Sequence, residues 1–111
     1  MGTMKGWLSM SRWIMDCTSF GNVRNMMQYA ETATDCIEIL NELVSCCDEI
    51  LSNTDVYWDF HDDFIDMKSE INDEIELMSE DDDYNDCEET VNYCLNEFYN
   101  LCDAARVWCE V

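Results

Sequence analysis

The sequence predicts an all-α fold, an antiparallel three-helix bundle with a short N-terminal helix. Three observations carry it. The 111 residues contain no proline, and their three glycines, Gly2, Gly6 and Gly21, all stand near the start, so nothing beyond position 21 breaks a helix. Apolar residues then recur at steps of three and four over long stretches. The stretches are separated by short polar turns, which make consecutive helices antiparallel neighbours. Hydrophobic residues make up 48% of the chain, too many for a disordered polypeptide despite a net charge of −21. A chain of this length supports one core, so residues 1–111 are read as a single helical domain.

Residues 1–20 hold Trp7, Trp13, Ile14, Cys17 and Phe20, and Met10, Ile14 and Cys17 share a helical face. They predict a short helix across the end of the bundle. Gly21 punctuates the chain, and Asn22 is a fair N-cap. Val23, Met26, Ala30, Ala33, Ile37, Leu40, Val44, Cys47 and Leu51 follow as a heptad seam, predicting one helix over 22–52. Its weak point is Thr32-Ala33-Thr34, where Thr34 would cap any restart. After the turn Ser52-Asn53-Thr54, capped by Thr54, a second helix is expected over 55–80. Its stripe is Tyr57, Phe60, Phe64, Met67, Ile71, Ile75 and Met78. Residues 80–85 form the next turn. Asp86 with Glu89 fits a reciprocal cap for a third helix over 86–110, striped by Cys87, Val91, Cys94, Phe98, Leu101, Ala105 and Trp108, with Arg106 in its last turn.

The eight cysteines are even in number, as in a secreted disulfide scaffold. Against that, Cys87, Cys94, Cys102 and Cys109 are spaced by seven, eight and seven, one stripe of small core residues. Lys5, Ser9, Ser11 and Arg12 interrupt any leader-like apolar run. Free thiols in a reducing cytoplasm are therefore expected, and no apolar run is long enough to span a bilayer.

Chemistry is hard to place. Zinc sites favour spacings such as C-x-x-C, which are missing here, and His61 is the only histidine, too few for a di-iron bundle. Asp81, Asp83 and Asn85 can be threaded on a calcium loop, but its glycine would be Asp86 and its final glutamate Asn92. A nucleophilic pair would have to use His61, which stands among acids, and no glycine loop cradles phosphate. The expectation is no enzyme, no cofactor and no metal. Direct nucleic-acid binding is opposed by the charge.

The acid is uneven. Asp55–Glu89 holds sixteen Asp or Glu against Lys68, so it carries −15 of the −21. On the second helix Asp59, Asp62, Asp63, Asp66, Glu70 and Asp73 follow three- and four-residue steps opposite the apolar stripe and form one ridge, which Glu80, Asp81, Asp82 and Asp83 extend into the turn. Like charges at that spacing repel, and a face meant only for solubility normally mixes signs. These ten residues are the candidate binding site, and the expected partner is a basic protein surface.

In its size and in the charge of Asp55–Glu89, the chain resembles the phage-encoded DNA mimics, the Ocr-type anti-restriction proteins and some anti-CRISPR proteins. The resemblance implies a non-enzymatic inhibitor occupying the nucleic-acid channel of a restriction or CRISPR complex in the host cytoplasm. The spacing is compatible: ten acids on 55–80 lie along about 39 Å of helix, one per roughly 4 Å, against 3.4 Å per phosphate of one DNA strand. The alternative is a structural or assembly subunit whose heptad seams build a homodimer or larger helical oligomer, the acid serving only solubility.

Overall fold

A computed structural model describes residues 13–53, 56 and 58–109. The described residues are mostly helical: α1 (Phe20–Tyr29), α2 (Ala33–Leu51), α3 (Trp58–Leu77) and α4 (Tyr84–Ala105), with two three-residue strands, β1 (Met15–Cys17) and β2 (Val107–Cys109). The three longer helices each pack against the other two, and α1 lies on α2. The molecule measures 52 × 29 × 17 Å.

The strand pair replaces helix at both ends. Arg106 closes α4 in the left-handed conformation, with φ 63°, and reverses the chain. Beyond it Val107, Trp108 and Cys109 alternate inward, outward and inward, a two-residue period that suits a strand. β2 pairs in parallel with β1, Met15 against Val107 and Cys17 against Cys109, and Ile14 N–H donates to the Arg106 carbonyl at 2.8 Å. Met15–Cys17 is thus a strand rather than part of an N-terminal helix, and the third helix stops at Ala105 rather than 110. The remainder of the expected N-terminal helix, residues 1–12, lies outside the described residues, as do Thr54, Asp55 and Tyr57 at the expected start of the second.

The expected helix 22–52 is two helices. Ala30 turns extended, with ψ 130°, and α2 restarts behind Thr32 rather than Thr34. The cause is a reciprocal cap: Asp35 N–H donates to Thr32 Oγ1 at 3.2 Å, while Asp35 Oδ2 accepts from the N–H of Thr32 at 3.1 Å and of Glu31 at 2.8 Å. Asn22 is not a cap. It lies inside α1, which begins after Ser19, and its amide donates to Glu42 across α2 at 3.2 Å. Asp86 likewise falls in the first turn of α4, whose preceding residue is Asp83.

The break also frees α2 to turn its inward face. Cys36, Ile39, Leu43, Cys46 and Ile50 are buried with Ala33, Leu40 and Cys47, whereas Val44 and Leu51 of the expected seam are only half-buried. α3 ends at Leu77 rather than 80, and its expected stripe holds, with Phe64 and Ile71 buried and Phe60, Met67 and Ile75, and Met78 just beyond its end, packed against the core. Phe98 of α4 joins the layers, stacked on Phe20 at 5.7 Å and edge-on to Phe64 at 6.2 Å. All eight cysteines are buried and free.

Candidate functional site

The acidic ridge is carried by α3. Its inward face is fixed by Phe64 and Ile71, so residues on the opposite side of the same helix must face solvent. Asp59, Asp62, Asp63, Asp66, Glu70 and Asp73 are all exposed. At 100° per residue they fall on one side of the cylinder, and from Asp59 to Asp73 they cover about 21 Å of axis. Glu80, Asp81, Asp82 and Asp83 are exposed in the turn that follows.

The four turn acids do not act alike. Asp82 Oδ2 accepts the Ser79 N–H at 2.7 Å, so this carboxylate holds the turn closed. Asp83 precedes α4 in extended conformation without a side-chain cap bond. Asp82 and Asp83 line a shallow groove with Glu74 and Asp86, between the end of α3 and the start of α4 and floored by Met78 and Cys87. Glu70 and Asp73 line a second groove with Glu74, Tyr93 and Glu97. The acid therefore continues from α3 onto α4, and Glu97 lies outside the stretch that composition marks. Only the packing of α4 against α3 brings it there.

Lys68, the one lysine or arginine of α3, is on the far side of the helix from the ridge. Its Nζ is 2.7 Å from Asp48 Oδ1 of α2. The sole lysine or arginine in the acidic stretch thus serves a neighbouring helix rather than the ridge. His61 is half-buried and tilted against Trp58 at 5.5 Å between ring centroids. Trp58, 83% exposed, and Ile65, 53% exposed, stand seven residues apart on one flank of the ridge. Neither belongs to the apolar stripe, and that displacement from the seam is the signal by which the sequence sets them apart.

A second polar centre is structural. Glu49 of α2 accepts from Thr18 and Ser19, both N–H groups and both hydroxyls, and so ties the corner between β1 and α1 to the end of α2. Burial alone would raise its pKa, but the Ser19 and Thr18 donors outweigh burial and hold the carboxyl below its usual range.

Among the described residues no group of three or more His, Cys, Asp or Glu side chains is arranged to hold a metal ion. None of their helices is long and apolar enough to cross a membrane. What the exposed surface offers chemically is a line of fixed negative charge with two apolar side chains beside it. The chain matches no protein-family model, no curated protein and no solved structure.

Proposed function

We propose that this protein is a non-enzymatic inhibitor that presents the charge of a nucleic-acid strand to a basic, nucleic-acid-handling partner, such as a restriction or CRISPR complex. One observation carries the reading: six exposed acids along α3, spaced by about 4 Å, with Lys68 turned away to Asp48. Clefts lined with lysine and arginine for phosphate contact would attract such a line over long range. The reading takes the three long helices as an antiparallel bundle that holds α3 straight, so the charges keep their spacing.

The test replaces Asp62, Asp63, Asp66 and Glu70 together with lysine. These positions point away from Phe64 and Ile71, so helicity is expected to be unchanged by circular dichroism. Binding to purified restriction and CRISPR complexes is then measured with duplex DNA as competitor. The expected result is that wild type and DNA exclude each other and that the variant loses binding, with slower association and a flatter salt dependence. A quadruple variant that binds as wild type does would reduce the ridge to a solvated face.

A second reading, an assembly subunit, is favoured by the exposure of Trp58, Ile65, Leu77 and Tyr93. Sedimentation of the purified chain distinguishes the two, because an assembly subunit would form a defined oligomer without any partner.

A further inference from the structure

Five of the eight thiols meet where the two ends of the described chain come together. Cys17 of β1 stands opposite Cys109 of β2 in the strand register and contacts Cys46 of α2, and both of those thiols act on its own. Cys102 of α4 acts in the same way on Cys109, and Cys102 and Cys17 act on Cys47. Cys17 Sγ also lies 3.9 Å from the Cys46 carbonyl and 4.0 Å from Glu49 Oε1. The strand register sets one pair apart: Cys17 and Cys109 are direct partners across the ladder, and both side chains face inward. Neighbouring strands run about 4.8 Å apart, inside the 4.4–6.8 Å between Cα atoms that a disulfide spans. Cys46 and Cys47, adjacent on a helix, point to different faces and have no such geometry.

We propose that Cys17 and Cys109 are an oxidisable pair, converted by a hydroperoxide to a disulfide that clips β1 to β2 and so joins the two ends of the fold. The oxidant must be small, because both thiols are buried. A narrow cleft beside the Trp13–Trp108 pair, which pack edge-on at 5.0 Å, is lined by Tyr99, Asp103, Cys102 and Cys109, so an oxidant entering it meets Cys109 and passes from there to the Cys17 sulfur opposite. Hydrogen peroxide is little larger than water.

Cys17 is the attacking thiol once it gives up the proton that its Sγ donates to the Cys46 carbonyl and Glu49 Oε1. The S–H groups of Cys109 and Cys46 stabilise its thiolate and lower its pKa, against burial and the Glu49 carboxylate. Contacts with Cys17 raise Cys46, and contacts with Cys102 and then Cys17 raise Cys109. The Cys17 thiolate attacks one peroxide oxygen, the O–O bond breaks, and sulfenic acid forms with loss of hydroxide, which takes up the proton Cys17 gave. The Cys109 sulfur then attacks the Cys17 sulfur; its S–H proton leaves with the departing hydroxyl as water. Two thiols are oxidised by two electrons, and one peroxide is reduced to two waters.

The sequence provides a clean readout. Trypsin cuts after Arg12, Arg24 and Arg106, so Cys17 is alone in peptide 13–24 and Cys109 alone in peptide 107–111. Native protein treated with a small molar excess of hydrogen peroxide is alkylated, digested and examined by mass spectrometry. The expected result is peptide 13–24 linked to 107–111, with titratable thiols falling from eight to six and returning with dithiothreitol. The clip closes a loop of about 90 residues, so the unfolding midpoint is expected to rise by roughly 10 °C in wild type and not in Cys17→Ser. Peptide 107–111 linked instead to 69–106, loss of thiols without a link, or eight thiols surviving the peroxide would each overturn the proposal.

Discussion

At the scale of single residues, Glu49 shows what one buried-edge carboxylate does for this fold. It gathers four donors from Thr18 and Ser19, and those donors hold its pKa below the usual value of 4.5. A carboxyl lowered on folding contributes stability that is present above its unfolded pKa and is lost as pH falls through the folded one. Glu49→Gln removes the charge and weakens the four bonds, and is expected to cost about 1–2 kcal/mol near pH 7. The difference in melting temperature between wild type and this variant should shrink as pH is lowered from 5 to 3. A difference independent of pH would show that the amide loses packing rather than charge. Arg106 is the other telling residue. Its left-handed φ lets β2 turn back beside β1, a conformation more often given to glycine, and no periodicity in the sequence points to it.

At the scale of elements, the boundary between α1 and α2 is decided by Thr32 and Asp35. The seam from Val23 to Leu51 reads as one helix because Ala30 and Ala33 keep the spacing of three and four, and alanine favours helix wherever it stands. Two backbone donors captured by Asp35 and one by Thr32 tip the segment toward a break. Thr32→Ala is expected to destabilise the protein by about 1 kcal/mol, lowering the melting temperature by a few degrees. Hydrogen exchange should accelerate in the first turn of α2. Unchanged protection at Asp35 and Cys36 would mean that the break is held by packing of α1 alone. The sequence marked the site of this break through its threonines yet placed the cap two residues late, because a threonine side chain caps only where the chain before it can turn extended. The helix α3 was legible from its stripe, and so was the exposure of its ridge. What the stripe could not show is that Glu97 of α4 would stand beside Glu70 and Asp73.

For the whole molecule, charge dominates. A net −21 on a body 52 × 29 × 17 Å, with five lysines and arginines to offset it, places most charge pairs within a repulsive field. Folding concentrates that charge, so screening it favours the native state. Raising sodium chloride from 0.05 to 0.5 M, which shortens the Debye length from about 14 to about 4 Å, is expected to raise the melting temperature. A melting temperature that falls with salt would show instead that attractive pairs of the Lys68–Asp48 kind outweigh the repulsion.

The sequence by itself determined the helical class, the stripes of α3 and of α4 as far as Ala105, the burial of Cys87, Cys94 and Cys102 and the outward face of the acidic ridge. These are local properties, set by spacing along one chain segment and by the absence of proline. The tertiary structure alone decided the rest. Strands of three residues carry too short a pattern to be read, and β1 and β2 exist because each supplies the other's hydrogen bonds from about 90 residues away. The inward turn of α2, the placing of Lys68 on Asp48 and the gathering of Cys17, Cys46, Cys102 and Cys109 follow from which elements lie beside which. That choice is made by packing between distant segments, whose energies no local window of sequence contains.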